Sequence, residues 1–167
     1  MSKMIKGTAL AVALSVAAQP AQAAMVCWNA KAASAAQVRD LQSRLMVASL
    51  RCRAMGFDIL PAYNRFVRNS RETLQQANGL IKARFTAGFG AKGGQAQYDK
   101  FTTALANAYG ADDTSREICR DTADLAEEAA DAGGDMNRLV DISERMGGPP
   151  KLPGSVCSVV LAGKDRN

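Results

Sequence analysis

Apolar residues recur along most of this chain at alternating gaps of three and four, the period of one face of an α-helix. In the first such segment Val38, Leu41, Leu45, Ala48, Cys52 and Met55 form a single stripe. Ser34 can cap its start and Gly56 can end it in a left-handed turn, so helix one is expected over about residues 34–55. A second stripe, Tyr63, Phe66, Val67, Leu74, Ala77, Ile81 and Phe85, follows a start marked by Asp58 and Pro61. Gly79 weakens this second helix without ending it. Gly88, Gly90, Gly93 and Gly94 force a loop before a third helix, about residues 95–109, that carries Tyr98, Phe101, Leu105 and Tyr109.

The fourth segment opens with Thr114 and, three residues later, Glu117, the spacing of a capping box. Its stripe of Ile118, Thr122, Leu125 and Ala129 is the least apolar of the set. A short fifth helix, about residues 135–146, carries Met136, Leu139, Val140 and Ile142. Gly147, Gly148, Pro149 and Pro150 then stop helical structure. Beyond them lies one short apolar run, residues 156–161, read as a strand or an extended strap lying on the helices. With short connections and no internal repeat, the pattern predicts an all-α fold: a bundle of four to five helices in up-down order, with an extended C-terminal strap.

The first residues read as an address. Lys3 and Lys6 precede an uncharged stretch over residues 8–18, Pro20 breaks it, and Ala21-Gln22-Ala23 supplies small residues at a cleavage site. This order predicts a bacterial Sec-type leader over residues 1–23, cut after Ala23, and an exported, periplasmic or secreted mature chain. The stretch is too short for a permanent transmembrane helix, and none is expected in the mature chain. Residues 24–167 then form one disulfide-linked helical domain of 144 residues with a net charge of +3.

Export changes how the four cysteines are read. Cys27, Cys52, Cys119 and Cys157 are an even set, which in an oxidising compartment predicts two disulfides. No metal is expected: there is no CxxC pair and no histidine. The residues before Cys27, Ala24-Met25-Val26, do not look like a lipoprotein signal. Four cysteines allow three pairings, and bundle geometry favours one. In an up-down bundle the end of helix one and the start of helix four lie together. Cys52 is then about 6 Å from that end and Cys119 about 7–8 Å from it, at matching heights. Cys52–Cys119 is therefore expected, which leaves Cys27–Cys157.

The absence of histidine removes the Ser-His-Asp and Cys-His templates and the usual base near neutral pH. The glycine-rich segment 87–94 lacks the GxxxxGK[ST] pattern and a preceding strand, so it reads as a helix–helix connection and not a phosphate cradle. Glu72, Glu117, Glu127, Glu128 and Glu144 are the carboxylates that a His-free hydrolase would have to use, and none stands in a context that implies burial. Glu72, four residues after Arg68, suggests an ordinary surface pair. Asp112, Asp113, Glu117 and Asp121 lack the spacing of a calcium loop and suit a helix N-terminus. No catalytic residue, cofactor or metal is assigned, and the chain is expected not to be an enzyme.

Charge is segregated. Residues 31–100 hold 12 basic and 4 acidic side chains, whereas residues 101–146 hold 4 basic and 11 acidic. Arg65, Arg68 and Arg71 recur at spacing three in helix two, with Arg44 and Arg51 on helix one. These five are the anion-binding candidates, for an acidic polymer, a lipid head group or another envelope protein. The competing reading is that the basic and acidic halves simply lie alongside each other. Too few aromatics interleave with the basic set for a nucleic-acid platform. The expected function is a non-enzymatic module that binds or supports another component of the cell envelope. The alternative is a carrier of a lipid or other apolar molecule in an interhelical cavity lined by Phe66, Phe85, Phe101, Tyr63, Tyr98 and Tyr109.

Overall fold

The computed structural model describes residues 27–111 and 113–157. The expected leader, residues 1–23, Asp112 of the acidic cluster, and residues 158–161 of the C-terminal apolar run lie outside them. The elements are α1 (Ala30–Arg51), a 3-10 turn (Cys52–Met55), α2 (Leu60–Asn69), α3 (Arg71–Ala111), α4 (Arg116–Asp131) and α5 (Met136–Arg145). The fold is an all-α bundle.

Helix α1 starts four residues before the expected point. Asn29, not Ser34, is its cap, its side chain accepting from the Ala32 amide at 2.9 Å. The alanine-rich stretch that follows is good helix former and carries the helix through Ser34. Gly56, at φ 86°, closes the 3-10 turn as expected. Helix α4 is capped by Ser115, whose hydroxyl accepts from the Ile118 amide at 3.1 Å, so the cap falls one residue after Thr114 and, with Ile118 at the third position, Ser115 makes no capping box.

The single helix expected through Phe85 is broken at Ser70, where the backbone turns at φ −104°, ψ 17°. The ladder is barely interrupted: the Ser70 amide donates to Phe66 and the Leu74 amide to Ser70, both at 2.9 Å. The bend lets one stripe serve two partners. Before it, α2 packs on α4; after it, α3 packs on α1.

Helix α3 folds back on itself. A straight helix would carry residues 20 apart about 30 Å from each other. Yet the Tyr98 hydroxyl donates to Asn78 Oδ1 at 3.1 Å, and the rings of Phe85 and Phe101 lie 5.8 Å apart. The reversal needs only Gly90, at φ 69° and ψ 174°, a conformation that a side chain would strain. Gly94 then passes so close to Thr86 that a Cβ there would sit 2.6 Å from its Cα. The expected glycine loop is thus one non-helical residue between two helical arms.

Contacts set the directions. Trp28 at the start of α1 touches Phe85 and Phe101, while Arg44 and Arg51 further along α1 reach Tyr109. The first arm of α3 therefore runs against α1 and the second runs with it. Helix α4 starts beside Cys52 and runs back alongside α2, and α5 returns beside α1, with Ser143 donating to the Gln37 carbonyl. The core is built from Val38, Leu41, Leu45, Ile59, Phe66, Ile81, Leu139 and Ile142. On α4 the buried set is Cys119, Thr122, Ala126, Ala129 and Ala130, so Ile118 of the expected stripe is exposed and Leu125 half-buried. Alanines there allow close approach, and the bond at Cys119 fixes which face turns inward.

After Pro149 the chain is extended and crosses to the start of α1. The Trp28 amide donates to the Ser155 carbonyl and the Cys157 amide to the Trp28 carbonyl, each at 2.8 Å, a single parallel bridge. The four cysteines lie as two bonded pairs, Cys52 with Cys119 at 5.5 Å between Cα atoms and Cys27 with Cys157 at 5.0 Å. Among the described residues no helix is long and apolar enough to cross a membrane.

Candidate functional site

The five candidate arginines do not form one face. Arg65 pairs with Glu127 of α4, across the two halves of opposite charge. Arg51 turns inward, donating to the Tyr109 carbonyl at 2.6 Å. Arg44 is almost wholly engaged. Its Nη1 donates to the Met146 carbonyl at 2.6 Å, its Nη2 to the Gly148 carbonyl at 2.9 Å, and its Nε lies 2.9 Å from Asp40 Oδ2. It thereby satisfies carbonyls left open at the end of α5. Arg68 and Arg71, on either side of the Ser70 bend, are exposed, and no ion pair among the described residues includes them. The pair expected between Arg68 and Glu72 is not formed.

Arg44 and Arg51 line a cleft of about 160 Å³ beside the Cys52–Cys119 bond, with Val47, Tyr109 and Ile118. Its polar wall is a buried network. Asp40 is fully buried, its Oδ1 accepts from the Tyr109 hydroxyl, and the Arg44 guanidinium lies 4.8 Å from the Tyr109 ring centre. Burial pushes the Asp40 carboxyl above its ordinary value, outweighing the Tyr109 hydrogen bond and the Arg44 charge. Burial, with the neighbouring carboxylate, pushes the Tyr109 phenol up to about 12. The donors of the network are spent on protein carbonyls and on Asp40, so it acts as a cross-brace between α1, α3 and the end of α5.

A second polar feature lies at the other end of α1. Trp28 is fully buried, edge-on to Phe85 at 5.6 Å and tilted to Phe101 at 5.8 Å. Its Nε1 donates to the Pro153 carbonyl at 2.9 Å. Arg84, 6 % exposed, spreads its guanidinium over Trp28 at 4.7 Å and Phe85 at 5.2 Å, and its Nη2 donates to the same carbonyl at 3.3 Å. No carboxylate among the described residues pairs with it, and its buried Nε lacks a hydrogen-bond partner. Burial lowers its pKa.

The aromatics proposed as cavity lining are mostly structural. Phe66, Phe85 and Phe101 are buried in the core, with Trp28 filling the space between the last two. Of the candidate carboxylates, Glu72, Glu117, Glu127 and Glu144 are exposed, and Glu128 is bound to Arg145 at 2.6 Å. No group of acidic or cysteine side chains among the described residues is arranged to hold a metal ion. Sequence reasoning missed Asp40, Trp28 and Arg84. The available signal was an acid within helix one, four residues before Arg44. Comparison of the chain with known protein families, with characterised proteins and with solved structures gives no match.

Proposed function

We propose that the protein is an exported, non-enzymatic helical module of the cell envelope that holds an anionic component through Arg68 and Arg71 at the junction of α2 and α3. The carrying observation is that these two guanidiniums are exposed in the basic half without an acidic partner among the described residues, while Arg65, Arg44 and Arg51 are engaged within the protein. Two paired disulfides and a leader-like N-terminus support an oxidising destination, the periplasm or the outside of the cell. The lack of histidine, and a buried acid already bound by arginine and tyrosine, favour binding over catalysis.

The test is sedimentation of the oxidised protein with phosphatidylglycerol vesicles and, separately, a filter assay with polyphosphate. Salt-sensitive binding to either probe, weakened several-fold in the double variant Arg68→Gln/Arg71→Gln, is the expected result. Binding that ignores both salt and the substitutions would end this reading.

A further inference from the structure

A groove bordering the aromatic core carries a separate inference. It runs between the second arm of α3 and the strap after Pro149, and encloses about 340 Å³, within the range of small-molecule sites. Phe101 and Ala104 of α3 and Leu152 and Pro153 of the strap give it an apolar lining. Lys100 and Lys151 stand at its edge on opposite walls, both exposed and neither in an ion pair among the described residues. No acid among the described residues lines it; Asp99, next to Lys100, is held by Gln95 at 2.8 Å. Behind the strap wall, Pro153 turns its carbonyl to Arg84, the buried cation without a carboxylate.

We propose that this groove binds a fatty acid, its single acyl chain along Phe101, Ala104, Leu152 and Pro153 and its carboxylate between Lys100 and Lys151. The apolar lining accounts for the chain and the flanking cations for the anionic end. A neutral chain leaves those charges unanswered, and a cationic amphiphile meets repulsion from three positive groups. A volume of about 340 Å³ suits one medium-length chain and not the paired chains of a phospholipid. The site is distinct from Arg68 and Arg71, so each reading stands or falls alone.

The experiment titrates the oxidised, full-length protein with dodecanoate below its micellar concentration, by calorimetry and by the fluorescence of Trp28. Trp28 is the sole tryptophan and packs 5.8 Å from Phe101, so it reports on the groove. Saturable one-to-one binding is expected, with dodecanol bound more weakly. Lys100→Gln/Lys151→Gln should weaken dodecanoate by at least about fivefold. Ala104→Tyr, at an exposed position, should block the groove while leaving Trp28 the sole tryptophan and the far-ultraviolet circular dichroism unchanged. Arg68→Gln/Arg71→Gln should leave dodecanoate binding as it was, which separates this proposal from the previous one. Absence of saturable binding, equal affinity for dodecanol, indifference to both groove variants, or binding to phosphatidylglycerol vesicles without binding to dodecanoate would each overturn it.

Discussion

Two arginines are withdrawn from water toward opposite ends of α1, and they are treated differently. Arg44 has a carboxylate at 2.9 Å, two carbonyls and a tyrosine ring. Arg84 has one carbonyl at 3.3 Å and two aromatic faces, with no acid among the described residues. A buried charge with its counter-charge becomes part of the frame, because removing either partner strands the other. A buried charge without one is held by polarizable rings and by the rigidity of its surroundings, and its field remains available to an anion nearby. The first arrangement braces three helices. The second sits behind a strap that forms one wall of a groove.

Replacing the two arginines in turn is the strongest way to break the comparison. Arg44→Met leaves Asp40 buried and uncompensated and frees the carbonyls of Met146 and Gly148. A loss of about 3–5 kcal/mol in urea unfolding is expected. Arg84→Met removes a charge whose burial was costly and keeps an apolar stem over Trp28, so a change within about 1 kcal/mol is expected. Equal losses would show that the counter-charge does not distinguish the sites.

The disulfides extend the contrast to the covalent level. Removal of either bond is expected to cost about 2–4 kcal/mol, if chain entropy dominates. Access differs more than energy does: Cys52 and Cys119 are buried, whereas Cys27 and Cys157 are half-buried beside the strap. Limiting reductant followed by thiol labelling and peptide mapping should find Cys27 and Cys157 modified first. Early labelling of Cys119 would contradict the burial order.

Alkaline titration sharpens the account of the Arg44 end. The Tyr109 phenol titrates near 10 when unfolded and is pushed up to about 12 in the fold. Its folded pKa is the higher, so its contribution is complete below pH 10 and is lost as pH rises toward 12. Tyr109→Phe should flatten that part of the stability curve while costing about 1–2 kcal/mol near neutrality, through the lost hydrogen bond to Asp40. An unchanged alkaline limb would place the loss elsewhere. The smallest effect is expected at Arg68 and Arg71: exposed and outside both networks, their replacement by glutamine should shift stability by no more than about 0.5 kcal/mol.

The helices were readable because their signals are local. A fixed rise per residue was enough to set Cys52 and Cys119 at one height, and the structure brings the same two cysteines to bonding distance. The bend at Ser70 left no such trace. Serine is a mild helix former, and the stripe from Phe66 to Leu74 keeps its period across it. The cap positions moved by one residue or a few because several acceptors compete near each helix start. The buried polar network was invisible for a different reason. Asp40 meets Tyr109 across 69 positions and Trp28 meets Pro153 across 125, so the burial of each depends on residues that no local window contains. The arginines illustrate the same limit: spacing placed Arg65, Arg68 and Arg71 together, and the partner helix then took one of them away.

The bond between Cys27 and Cys157 spans 130 positions and closes a covalent ring that contains every described residue. A protease that cuts one exposed loop within it opens the ring without releasing a fragment, so both new ends stay tethered and can re-dock. Resistance of this kind needs no additional thermodynamic stability. On a denaturing gel a singly nicked molecule would keep its full mass until reductant is added.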